Sequence, residues 1–233
     1  MRGQLTALLA VSAFGFASAQ SFMDGFEGAD YGANTASGGT IVSAISWIAR
    51  NDSAPVGATG WFDGDTSASN WPAHGGDQYI GADFQNVSST GNEISNWLIS
   101  DVRQFNNGDT ISFWTRTYVT VIFPDRLFLK LSTNGAATDA GSFSTTLVAV
   151  NENLTTAGYP SEWTQFSAVL SGLAAPVSGR FAFHYSVTDA GPNGSNSDYI
   201  GIDDVSYTAV PEPATMLVLG AAAAVAATRR RRK

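Results

Sequence analysis

The chain has 233 residues, with 12 Lys+Arg against 20 Asp+Glu for a formal net charge of −8, no cysteine and two histidines. Without cysteine, thiol catalysis, disulfides, haem attachment and thiolate zinc sites are excluded; two histidines exclude a multi-histidine zinc site while leaving a Ser-His-Asp triad open. The acidic balance argues against nucleic acid, because binding a phosphate backbone needs clustered cations that release counterions.

The first predicted element is a leader. Arg2 gives a positive start, "LTALLAVSAFGF" an apolar run, and "ASA" at Ala17 to Ala19 the small residues that a signal peptidase accepts, so residues 1–19 are expected to be removed and Gln20 to open the mature chain. Setting aside this leader and the tail leaves six cations against nineteen acids, about −13. Such an exported domain suits divalent cations.

From residue 20 to 209 the texture is uniform: short runs rich in Ile, Val, Phe, Tyr, Trp and Thr, separated by Gly, Asn, Asp and Ser. Strands are predicted over 21–27, 40–49, 78–84, 95–100, 110–119, 125–132, 145–150, 163–170, 180–187 and 198–207. Many strands with turn signals and no helical periodicity predict an all-β, jelly-roll β-sandwich forming one domain. Alternation assigns faces: Phe181, Phe183, Tyr185 and Val187 point to one side and His184 to the other, and Leu127, Leu129 and Leu131 lie opposite Lys130.

Two acidic clusters bracket the domain, "MDGFEGAD" with Asp24, Glu27 and Asp30, and "GIDDVSY" with Asp203 and Asp204. In a jelly roll the terminal strands run side by side, so these carboxylates are candidates for one Ca²⁺ site, which needs six to eight hard oxygen ligands. Asp203 and Asp204, adjacent on a strand, are expected to face opposite sides, leaving one as a direct ligand. The competing reading is solvated strand ends and turn formers. "FDGDTSASN", with Asp63 and Asp65, resembles the start of an EF-hand loop but lacks its later ligands and reads as a turn.

Trp61 and Trp71 flank that loop and are candidate sugar-stacking aromatics, with packing as the alternative. Catalytic signals are weak: no "GxSxG" elbow occurs, His184 has no assignable acid, and Glu152 and Glu162 form a glycosidase pair only by assertion. His74, in "WPAHGGD", reads as a loop residue bonding backbone.

The tail is "VPEPATMLVLGAAAAVAATRRRRK". Its apolar run of about 15 residues, 214–228, reaches about 22 Å as a helix, short of the roughly 30 Å hydrocarbon layer. Arg229, Arg230, Arg231, Arg232 and Lys233 would hold the end in the cytoplasm, placing Val210, Pro211, Glu212, Pro213 and Ala214 on the exported side. The prolines keep that segment extended and open to a processing enzyme. A permanent tail anchor is the alternative.

In its parts and their order this tail, residues 210–233, resembles the PEP-CTERM sorting signal. The resemblance implies an exosortase as processing partner, in bacteria that make exopolysaccharide. The body resembles the choice-of-anchor J domain, itself similar to cleaved-adhesin and, more remotely, MAM domains, through "DGFEG", "GWFDGD", "ISNWLIS", "ISFWTRT", "PDRLFLKLSTNG", "WTQFSAVLSGL", "GRFAFHY" and "SDYIGIDDVSY". That resemblance implies a jelly-roll sandwich with a cation held between first- and last-strand acids, carried best onto Glu27 and Asp204, then Asp24 and Asp203. The expected function is a non-catalytic protein of the cell surface or exopolysaccharide matrix, passing through the inner membrane and binding glycan or surface proteins. A secreted carbohydrate-active or other hydrolytic enzyme on the same fold is the alternative.

Overall fold

The computed structural model describes residues 20–33, 35–64, 72–119 and 122–211. The expectations for Ala17, Ala19, Asp65, Trp71, Glu212, Pro213, Ala214 and the cations from Arg229 to Lys233 lie outside the described residues. Among those described, no helix is long and apolar enough to cross a membrane.

Gln20–Val210 form one compact unit of two antiparallel sheets. The strands are β1 (Phe22–Asp24), β2 (Gly38–Val42), β3 (Ser46–Asn51), β4 (Phe62–Asp63), β5 (Ile80–Asp83), β6 (Glu93–Ile99) and β7 (Arg103–Phe105). They continue as β8 (Thr110–Thr117), β9 (Leu127–Ser132), β10 (Thr145–Val150), β11 (Thr164–Val169), β12 (Val177–Thr188) and β13 (Tyr199–Thr208). One sheet runs β11-β8-β13-β5-β4 with β1 also on β13; the other runs β10-β9-β12-β6-β3-β2 with β7 on β12. The first and last strands pair directly, Asp24 opposite Val205, which is the juxtaposition that the acidic clusters call for.

The core follows the alternation. Phe181, Phe183, Tyr185 and Val187 of β12 are wholly buried, as are Leu127 and Leu129 of β9. Phe183 meets Phe113 of β8 edge-on across the sandwich at 4.9 Å, within the range where aromatic pairs add to burial. Ala182, on the other face of β12, is also buried, under Trp97, Ile99 and Phe143, so that face is covered as well. His184 and Ser186 on that face are only half-buried, so the alternation of β12 persists along the strand.

The strand expected over 40–49 is two strands. The chain turns at Ser43–Ile45, where the Ser43 N–H donates to the Ile45 carbonyl. The Ser43 hydroxyl is drawn to Asp24, a tertiary contact that has no local sequence signal. The short strands β4 and β7 have too few residues for a period of two to register.

Candidate functional site

The acids at the two ends of the domain meet, but not in equal roles. Asp24 is 1% exposed and turns into the core: Oδ1 accepts from the Phe26 N–H at 2.9 Å, Oδ2 from Ser43 Oγ at 2.5 Å and Trp47 Nε1 at 2.8 Å. Both of its oxygens thus hold β1 against the hairpin of β2 and β3. The next turn directs its neighbour outward. Phe26 adopts φ 59°, a conformation rare outside glycine, and is fully buried within 5.9 Å of Trp47, leaving Glu27 exposed.

Glu27 reaches the loop at residues 74–78. Its Oε1 accepts the N–H groups of Asp77 at 2.8 Å and Gln78 at 2.9 Å, and Gln78 Oε1 in return accepts the Gly28 N–H at 2.5 Å. Asp203 holds the other half of the loop, its Oδ2 accepting from the His74 N–H at 2.8 Å and the Gly75 N–H at 3.2 Å. His74 therefore does bond backbone to partner as its loop setting suggests, and its ring does more: Nδ1 lies 2.6 Å from Asp204 Oδ2 while the imidazole stacks on Trp114 at 3.7 Å.

Asp203 and Asp204 do not face opposite sides. The pairing of β13 with β8 is irregular between Asp203 and Ser206, and Asp204 takes φ 44°, which aspartate tolerates better than most residues. This bulge rotates both carboxylates to one side: a methyl on Gly25 would sit 3.2 Å from Asp204 Oδ1, 3.8 Å from Asp203 Oδ1 and 3.9 Å from Glu27 Cγ. A methyl on Gly75 would lie 2.6 Å from Asp204 Oδ2, and one on Gly76 would overlap the Glu27 carboxylate. Three glycines leave room for a cradle that any side chain would fill.

Burial pushes the Asp203 carboxyl up to about 7; the backbone N–H groups of Gly75, Asp204 and His74 oppose that rise, and the neighbouring Asp204 charge adds to it. Among the described residues no three acidic or histidine side chains close into a ready metal-binding set. What the cradle offers instead is two carboxylates, Glu27 and Asp204, each with one oxygen that accepts no bond from a described residue, beside Asp203. An all-oxygen set of this kind fits a hard divalent cation that completes its shell with carbonyls and water.

The other expectations resolve separately. Trp61 is 1% exposed, so its ring is a packing element with no open face for a sugar; burial by folded neighbours decides this, which flanking a loop does not. His184 lies flat on Trp97 at 3.6 Å with Nε2 3.1 Å from Ser95 Oγ. Burial pushes it down to about 3, helped by Lys130, Arg126 and Arg50, so it is a neutral ring among cations, where a triad histidine needs an acid. The Glu162 side chain is 80% exposed and lies 3.8 Å from Arg116.

Residues 209–232 match the PEP-CTERM protein-sorting motif. No curated protein matches the chain. Among solved structures, the K1 cleaved adhesin domain of Lys-gingipain from Porphyromonas gingivalis W83 is similar at 16% identity and a TM-score of 0.55, covering 82% of this chain and 99% of that one. The K2 cleaved adhesin domain of Lys-gingipain is similar at 18% identity and 0.52, covering 82% and 98%. At these identities the likeness is one of fold.

Proposed function

We propose that a chain carrying the PEP-CTERM protein-sorting motif directly behind a cleaved-adhesin-like β-sandwich is an exported, non-catalytic binding protein of the cell surface or exopolysaccharide matrix. The observation that carries this reading is the motif at residues 209–232, which begins one residue after β13 ends. An exosortase cuts the tail while the chain is held in the inner membrane, and the sandwich beginning near Gln20 is the released, functional part. The adhesin domains that share its fold favour a binding role, and the neutral, acid-free setting of His184 speaks against hydrolysis.

Ca²⁺ belongs to the same proposal. Glu27 and Asp204 would hold it directly, with Asp203 beside them, and it would supply positive charge that ties the turn after β1, the loop at 74–78 and the bulge of β13 into one unit. Asp203, His74 and the glycines position that cradle through the bonds described above.

The binding role is checked by presenting the processed protein to a glycan array and to outer-envelope proteins beside a panel of glycoside, ester and peptide substrates. The expected result is retention of a glycan or surface-protein ligand without turnover. Turnover that disappears on substituting His184 or Glu162 would overturn the proposal in favour of a secreted hydrolase.

A further inference from the structure

At the end of the sandwich where β8 leaves for β9 and β13 begins, three connections enclose a cavity of about 230 Å³ lined by Phe84, Phe123, Pro192, Ser197, Asp198 and the backbone of Gly191 and Gly194. This is below the roughly 300 Å³ at which pockets for drug-sized ligands begin, so it takes a single ring-sized group. The site is distinct from the carboxylate cradle: the bulge that makes the cradle lies after Asp203, and this cavity is formed before β13 starts.

Its walls are preformed. Ser197 donates its N–H to the Pro124 carbonyl at 3.0 Å and accepts the Gly191 N–H on Oγ at 2.9 Å. Asn193 Nδ2 donates to the Ser89 carbonyl at 2.7 Å, Asn196 Nδ2 to the Thr188 carbonyl at 2.8 Å, and the Phe84 N–H to the Asp198 carbonyl at 2.9 Å. A methyl on Gly191 would lie 2.7 Å from Val87, so the rim approaches as closely as it does only without a side chain. Bonds made within the protein therefore shape the cavity before any ligand arrives, which lowers the ordering cost of binding.

Its polar chemistry rests on one group. Asp125 is wholly buried and engaged by Tyr185 Oη at 2.6 Å, Thr117 Oγ1 at 2.9 Å and the Asp198 N–H at 2.9 Å. Asp83 accepts from Thr59 Oγ1 at 2.5 Å and the Gln85 N–H at 3.0 Å. The Asp198 carboxylate accepts no hydrogen bond from any described residue, yet it lines the cavity. Burial, then the charges of Asp125 and Asp83, push it up to about 6. Half-buried, it keeps acceptor capacity for hydroxyl donors that enter the cavity.

We propose that this loop-end cavity binds one neutral sugar residue of a glycan, with Phe84 and Phe123 against the apolar side of the ring and Asp198 accepting from its hydroxyls. Three acids in and around the site, with no cation among the lining residues, exclude an anionic ligand. Two aromatic side chains and one carboxylate in the lining suit a pyranose, with one apolar side and a hydroxyl edge, better than an ammonium group, which calls for an enclosing aromatic cage. Phe123 is 39% exposed and its neighbour Ile122 66%, so the ligand's continuing chain has apolar surface to cross. The inference rests on the binding role proposed above and gives it a site and a ligand class.

The test is NMR titration of the processed protein with methyl glucoside, methyl galactoside and methyl mannoside, and with butylammonium as the cationic probe. The expected result is binding of at least one glycoside in the millimolar range, weakened tenfold or more by both Phe123→Ala and Asp198→Asn. Phe123 is exposed and Asp198→Asn is conservative, and thermal melts confirm folding of each. Binding of butylammonium alone, absence of glycoside binding, or glycoside binding unchanged in both variants would each overturn the site. A positive glycan array unchanged by Asp198→Asn removes this site and leaves the broader binding role standing.

Discussion

Ca²⁺ added to chelator-treated protein is expected to raise its melting temperature by about 5–10 °C. At about 100 times the dissociation constant, a ligand bound only by the folded state contributes about 2.7 kcal/mol, and a domain of this size shifts by about 2–4 °C per kcal/mol. Glu27→Gln and Asp204→Asn each remove the response while keeping the shape of the side chain. In Glu27→Gln the amide oxygen is still available to the N–H groups of Asp77 and Gln78, so the loop at 74–78 stays in place and the melting temperature in chelator changes little. Calorimetry gives the same answer as heat on titration. No heat and no shift with the unsubstituted protein would remove Ca²⁺ from the cradle.

Asp24→Ala behaves in the opposite way: it destabilises the domain by about 3–5 kcal/mol whether Ca²⁺ is present or not. The substitution strands the Phe26 N–H, the Trp47 indole N–H and the Ser43 hydroxyl. A stranded buried donor costs about 1–3 kcal/mol, and half-buried Ser43 recovers part of its share from water. Denaturant unfolding at constant m-value measures the loss. A loss that appears only in Ca²⁺ would place Asp24 in the coordination sphere.

These three acids show where the sequence is informative. The pairing of first and last strands follows from the jelly-roll expectation, and both acidic clusters do reach one end of β13 and β1. Which acid turns inward is decided by Trp47 and Ser43, some twenty residues away, and no spacing rule carries that. Likewise a period of two sends Asp203 and Asp204 apart, and the bulge that brings them together has no signature in "GIDDVSY". Trp61 follows Gly60 and leads into the Asp63-Gly64 pair as an exposed loop aromatic would, yet is buried.

The loop-end cavity is the least legible feature. Phe84, Phe123 and Asp198 come from three connections more than thirty residues apart, and only the fold makes them neighbours. Strand interiors are better encoded: β12 and β9 show their buried sides in alternate residues because the pleat imposes that period directly. Chemistry built on loops needs the scaffold first.

Release of the sandwich from its sorting tag as an exported product is read most directly from the intact mass of the native protein in each cell fraction. The expected result is a surface or matrix species that begins near Gln20 and ends between Val210 and Ala214. A single species in the cytoplasmic membrane that retains Lys233 would show instead that the tail is a permanent anchor and that no sorting product exists.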